Sequence, residues 1–112
     1  MSIEVWEYIV KQASMIKESR LDEMKALAKE CKAEKQDSHS GYEIVVKSDY
    51  LLNGDLVVKI EATRKILFGY LTQSISGGFE ISVNGEITDY EKPSKVIERT
   101  SVRESWEAMA NS

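Results

Sequence analysis

The chain is poor in the residues that carry most protein chemistry. Among its 112 residues are one cysteine, one histidine and one proline. A lone cysteine forms no intrachain disulfide, and one cysteine with one histidine cannot supply the ligands of a typical structural zinc site, which converge at about 2 Å. No cofactor or metal is expected. No stretch of roughly 18 apolar residues occurs, so a membrane-spanning helix is not expected either. The Met1-Ser2-Ile3-Glu4 start lacks the basic and apolar segments of a secretory leader, which places the expected compartment in the cytoplasm. Positive charge is also short: 15 Lys and Arg stand against 19 Asp and Glu, a net charge of −4. The whole chain therefore lacks the field that concentrates proteins on phosphate backbones or anionic lipid, and nucleic acid is disfavoured as a partner. Phosphate-binding glycine loops and calcium-binding loops are missing as motifs.

What is present suits one packed domain spanning residues 1–112. Hydrophobic residues make up 42% of the chain and charged residues 30%, close to the globular average. At about 100° per residue, Trp6, Ile9, Ala13, Ile16, Met24, Leu27 and Cys31 form one narrow stripe, with charged residues opposite. This predicts an amphipathic helix from about Ser2 to about Glu34. Unbroken, it would run about 50 Å, well beyond the size of a domain of this length. Either it breaks near Ser19 and Arg20, where Ser19 offers a weak N-cap, or a second subunit covers the overhang.

Residues Ala33 to Gly41 turn polar and aperiodic, as expected of a linker. Period-two alternation then predicts four strands: Tyr42, Ile44 and Val46; Leu56, Val58, Ile60 and Ala62; Ile66, Phe68 and Tyr70; and Phe79, Ile81 and Val83. Face parity selects the turns. A three-residue Leu52-Asn53-Gly54 loop pairs Val46 with Ile60 and keeps both apolar sets on one face, whereas a two-residue loop separates them. Val83-Asn84-Gly85 reads as the same turn and pairs Ile81 with Ile87. Gly77-Gly78 reads as a tight two-residue turn. Residues 94–99 stay open between helix and extended chain. Ser101 and Glu104 form a capping box ahead of Val102, Trp106 and Met109, which predicts a short helix from about Ser101 to about Ala110.

The expected fold is α+β: a long N-terminal helix packed on a four- to five-stranded antiparallel β-meander, then a short C-terminal helix. Its helix-then-meander order is similar to the arrangement of cystatin-like domains in architecture alone, and architecture does not settle function.

The candidate chemistry is thin. Asp37, Ser38, His39 and Ser40 hold the residue types of a nucleophilic triad, but a triad is assembled in space from separate elements, so a solvated connector is the plainer reading. Cys31, on the apolar stripe, reads as a small buried hydrophobe. Lys25, Lys29 and Lys32 sit among acids and read as a solvated face. More informative is the predicted second sheet face, where Val45, Val57, Leu67, Leu71 and Ile75 stand among Lys47, Lys59, Glu61 and Glu80. That is more apolar character than a solvated antiparallel face needs, so Trp106 of the tail, a partner or a second copy must cover it. Arg20, a charge on an apolar stripe, must find an acid, water or an anion.

These features point to a small soluble non-catalytic protein–protein interaction module of the inhibitor, adaptor, secretion-chaperone or immunity type, binding a protein partner or itself as a homodimer. Its expected binding residues are Arg20, Lys47, Lys59, Glu61, Leu67, Leu71 and Trp106. The alternative is a small-molecule binder or modest enzyme with a pocket between helix and curved sheet, using Tyr42, Tyr70, Arg20 and Glu61.

Overall fold

A computed structural model describes residues 2–90 and 94–99 and has an α+β architecture. Two helices, α1 (Ser2–Ser19) and α2 (Leu21–Glu30), precede a six-stranded antiparallel sheet. Its strands are β1 (Ala33–His39), β2 (Tyr42–Tyr50), β3 (Leu56–Ile66), β4 (Leu71–Ile81), β5 (Ile87–Asp89) and β6 (Ser94–Arg99). Residues 94–99 are thus extended, whereas the predicted helix over 101–110 and Trp106 lie outside the described residues.

The single long helix of the sequence reading is two helices, because the chain breaks at Arg20. Arg20 leaves helical geometry at φ −129° and ψ 18°. Its guanidinium donates to both carboxylate oxygens of Glu34, at the start of β1, and to Glu23. The charge that looked misplaced on an apolar stripe is therefore the hinge, held by two acids. Ser19 does not cap α2, since its hydroxyl donates back to the Met15 carbonyl at 2.9 Å. The break solves the length problem within one chain: α1 lies on β3 and β4, and α2 lies mainly on β2. Cys31 then stops α2 in the left-handed conformation, φ 54°, with its N–H bonded to the Ala28 carbonyl. That turn carries its side chain off the stripe, so Cys31 is exposed rather than buried.

The sheet runs β1-β2-β3-β4, and β5 and β6 share the outer edge of β4. Val46 pairs with Ile60 and Ile81 with Ile87, as face parity requires. The two Asn-Gly turns are built alike. Gly54 N–H donates to the Leu51 carbonyl and Leu51 N–H to Asp55, and Gly85 and Ser82 repeat the pattern with Ser82 and Glu86. Gly54 and Gly85 take φ of 93° and 88°, the left-handed bulge position of a three-residue loop. The turns also touch: Asp55 Oδ1 accepts from Val83 N–H at 3.1 Å.

Three expectations fail, for related reasons. The polar run 33–41 is not a linker; most of it is edge strand β1, zipped to β2 from Ala33↔Lys47 to His39↔Tyr42 with a bulge after Gln36. Gly77-Gly78 is not a turn but lies inside β4, opposite Ile60 and Lys59. The turn falls instead at residues 67–70, so Phe68 and Tyr70 belong to a loop rather than a strand. A four-residue loop between Ile66 and Leu71 joins residues of opposite parity on one face. Every odd position from Leu71 to Ile81 therefore faces the helices.

The core follows from that parity. Leu56, Val58, Ile60 and Ala62 are buried opposite Ile81, Phe79, Gly77 and Ile75. Val5, Ile9, Ile16, Met24 and Ala28 close over them from the helices. Each fully buried large side chain contributes roughly 1.5–3 kcal/mol relative to exposure. Arg64 and Gln73 cap this layer at one end: the Arg64 Nε donates to Gln73 at 2.8 Å, and the guanidinium lies 4.7 Å from the buried Tyr42 ring.

Candidate functional site

Three regions concentrate exposed apolar side chains, clefts or paired charges, the second and third meeting at Lys59. The first is the end of the β3–β4 hairpin. β2 pairs with β3 only as far as Glu43↔Thr63, while β3 and β4 continue to Ile66↔Leu71. The hairpin therefore projects beyond β2, flanked by β6, which pairs with β4 from Ser76↔Ser94 to Leu71↔Arg99. Its tip is a tight turn, Leu67–Gly69, followed by Tyr70. Leu67 is 63% exposed, Phe68 104% and Tyr70 76%.

The backbone of this tip is strained as well as apolar. Leu67 and Phe68 both hold positive φ, 52° and 57°. For residues with a Cβ this conformation costs about 1–2 kcal/mol each. Burial does not repay it, since the side chains stand in solvent. Strain of this kind, together with exposed aromatics, concentrates at contact sites.

The second region surrounds a break in the β4 edge. β5 covers Phe79 to Ile81 and β6 covers Leu71 to Ser76, so Gly77 and Gly78 face the interval between them. Tyr90 N–H bonds the Gly78 carbonyl there at 3.0 Å. A cleft of about 350 Å³ opens on the helix side, lined by Trp6, Val10, Lys17, Asp89 and Tyr90 among others. A wider hollow of about 750 Å³ lies on the outer side, lined by Lys59, Ser76, Thr88 and Ser94 among others. Lys17 is paired with Asp89 at 2.7 Å and stands 5.7 Å from the Phe79 ring. Burial, and then the hydrogen bond its hydroxyl donates to Glu80 Oε1 at 2.6 Å, push the Tyr90 phenol up to about 12. An ion-paired lysine and a tyrosine whose phenol stays protonated near neutral pH are suited to making polar contacts with a ligand.

The third region is the outer sheet face. Lys47 and Lys59 are directly opposite one another, and Glu61 Oε2 lies 3.7 Å and 3.6 Å from their ammonium groups. Three predicted site residues thus meet here. Their role is evident from the pairing: Glu61 offsets two like charges, an exposed arrangement contributing about 0–1 kcal/mol. The apolar companions expected on this face are mostly elsewhere. Val45 and Val57 are half-buried on it, but Ile75 is 1% exposed in the core and Leu71 stands on the helix side. The predicted second apolar face is therefore largely polar along β4, with Thr72, Ser74 and Ser76 in the places assigned to leucine and isoleucine.

Of the remaining predicted residues, Leu67 is at the hairpin tip and Leu71 opens β4 just beyond it, on the opposite side from the outer face. Arg20 is the helix hinge. Tyr42, Tyr70, Arg20 and Glu61 do not converge on one pocket: Tyr42 is buried under Arg64, Tyr70 is in the tip, and Glu61 faces outward. His39 stacks on Tyr8 at 4.2 Å and 14°, which commits its ring to packing. Phe68 and Tyr70 were missed as surface residues. Gly69 beside an aromatic pair was the available signal, outweighed by the apparent alternation of Ile66, Phe68 and Tyr70.

No helix among the described residues is long and apolar enough to cross a membrane. Among them, no group of three or more His, Cys, Asp or Glu could hold a metal ion. Compared with protein-family models, curated proteins and solved structures, the chain matches none.

Proposed function

We propose that the protein is a non-catalytic protein–protein interaction module, acting in the cytoplasm through the tip of the β3–β4 hairpin. One observation carries the reading: Leu67, Phe68 and Tyr70 stand in solvent on a backbone that pays a conformational cost to present them. Exposed aromatic and aliphatic anchors on a rigid projection are the side chains from which interface hot spots are made. The projection is rigid because eleven-residue strands β3 and β4 are paired along their whole length.

The photoreactive residue p-benzoylphenylalanine, placed at position 68 of the full chain in the native host, tests this. A crosslink to one other protein supports a hetero-partner, and a crosslink at twice the chain mass supports a homodimer. No crosslink beyond that obtained from the same label at position 47 overturns the proposal. Leu67→Ala and Tyr70→Ala, each combined with the label at position 68, should leave thermal stability unchanged while abolishing the crosslinked contact. Unfolding of both would make these residues part of the core and would also overturn it.

A second reading, a small-molecule holder, is favoured by the cleft between α1 and the β4 edge. Its volume, about 350 Å³, is within the range of ligand pockets. Metabolite-induced thermal stabilisation that disappears in Lys17→Ala would support this reading over the first.

A further inference from the structure

We propose that the tip of the β3–β4 hairpin docks on a second copy of the chain, at that copy's paired Asn-Gly turns between β2 and β3 and between β4 and β5. The inference rests on the interaction reading and names its partner. The contact joins two different surfaces of the same chain, head to tail.

Three observations converge on this occupant. The first is a further apolar surface. Leu52 is 111% exposed and Val83 67%, each opening its Asn-Gly loop, and Leu51 and Ile87 beside them also stand in solvent. This surface is preformed, because the two turns pack on each other: a Cβ on Gly54 would stand 2.9 Å from Val83 Cγ1, and Asp55 accepts the Val83 N–H. A rigid surface loses little entropy on docking. The second observation is position. The tip and the turns lie at opposite ends of the eleven-residue strand β3, about 35 Å apart. One chain cannot bring its own tip onto its own turns, so the contact is made between copies.

The third observation is charge. Residues 48–58 and 82–90 hold Asp49, Asp55, Glu86 and Asp89 and no Lys or Arg. Lys17 pairs with Asp89, which leaves three acids around the turns. At the tip the sign is reversed. Residues 64–72 hold Arg64 and Lys65 and no acid, and Arg99 of β6 lies opposite Leu71. Glu98 offsets Lys65 on the outer face, where both share a rung with Thr72, while Arg64 and Arg99 remain on the helix-facing side with Ile66 and Leu71. Opposite charge around the two apolar surfaces favours contact of tip with turns and disfavours tip with tip or turns with turns. Repeated, such a contact builds a ring or an open chain.

Sedimentation equilibrium of the purified full chain tests this. The unsubstituted protein should form dimers and longer species as its concentration rises, and association should weaken as salt increases from about 0.05 to about 0.5 M. Phe68→Asp and Leu52→Asp each remove one surface and keep the other, so each alone should stay monomeric with an unchanged melting temperature. Aspartate also tolerates the positive φ at position 68 better than phenylalanine does. Mixed in equal amounts, the two variants should give a 1:1 dimer and nothing longer, because one contributes intact turns and the other an intact tip. Leu67→Asp and Val83→Asp replace the pair if either variant fails to fold. An unsubstituted chain that stays monomeric at millimolar concentration overturns the inference, and so does a mixture that stays monomeric. Self-association that persists in Leu52→Asp overturns it as well, since tip would then meet tip. A monomeric chain whose label at position 68 crosslinks to another protein in the host overturns this inference alone, whereas absence of any crosslink from that position overturns the interaction reading too.

Discussion

The Trp6 indole occupies the space that a side chain at position 77 would need: a Cβ built on Gly77 stands 2.5 Å from Trp6 Cζ3 and 2.9 Å from Ile9 Cγ2. The absence of a side chain there lets α1 approach β4 closely. Gly77→Ala should therefore lower stability by about 1–3 kcal/mol through overpacking. At Gly78 the obstacle is the backbone carbonyl of Val58, which cannot rotate away. Gly78→Ala should cost about 3 kcal/mol or more. Urea unfolding measures both. Adding Trp6→Leu should recover part of the Gly77→Ala loss and none of the Gly78→Ala loss, and equal recovery at both would exclude the indole as the obstacle.

Cys31 holds a left-handed backbone with an exposed side chain that contributes no packing. Replacement by glycine relieves the steric cost at that position, partly offset by the greater freedom of glycine in the unfolded chain. Cys31→Gly should raise stability by about 0.5–1 kcal/mol. A Cys31→Val variant should move the denaturation midpoint the other way.

The hinge makes stability depend on pH in the acid range. The Arg20 hydrogen bonds hold the Glu34 carboxyl below its ordinary value of 4.5, outweighing the effect of partial burial. Hydrogen bonding to Glu34 and then Glu23 raises the Arg20 guanidinium further above its already high value. A carboxylate depressed in the folded state contributes stability that is fully present above its unfolded pKa and is lost as pH falls through its folded pKa. Glu34→Gln should therefore cost about 1–2 kcal/mol at neutral pH, and the gap from the unsubstituted protein should close below pH 4.5. A gap that stays constant down to acid unfolding would show that the ion pair is not its source.

Ser48 is 2% exposed on the core face of β2, opposite Val58, and its hydroxyl has no hydrogen-bond partner among the described residues. A buried hydroxyl left unsatisfied costs about 1–3 kcal/mol. Ser48→Ala removes that cost and leaves only a small void, so thermal unfolding should shift upward by the equivalent of about 1 kcal/mol. A downward shift would mean that the hydroxyl is satisfied by water.

The legible parts of the fold were those governed by local period and turn chemistry. Helical spacing from Trp6 to Leu27, alternation in 42–46 and 56–62, and the two Asn-Gly loops with their registers all depend on neighbours a few residues away. The hinge at Arg20 was visible as a charge on an apolar stripe, although Glu34, which holds it, was not. Strand β1 was hidden because an edge strand is stabilised by backbone pairing and polar contacts. Tyr8 donates to Gln36, and Arg20 bonds Glu34, where no apolar period exists. The site was less legible still, since one parity error at residues 67–70 moved Leu71 and Ile75 to the wrong face and put Phe68 and Tyr70 into a strand.

By itself the sequence determined that an amphipathic helical segment precedes antiparallel strands, and which residues of 42–62 share the core face, because side-chain period is a local property of the backbone. Only the tertiary structure decided the meaning of Gly77 and Gly78. In sequence a glycine pair reads as a turn. In the folded protein its value is empty space, and the groups that need that space, Trp6 and the Val58 carbonyl, come from distant parts of the chain. Those glycines admit α1 against a strand that runs straight through them, and with β4 continuous there the turn falls at residues 67–70, where the apolar tip meets solvent.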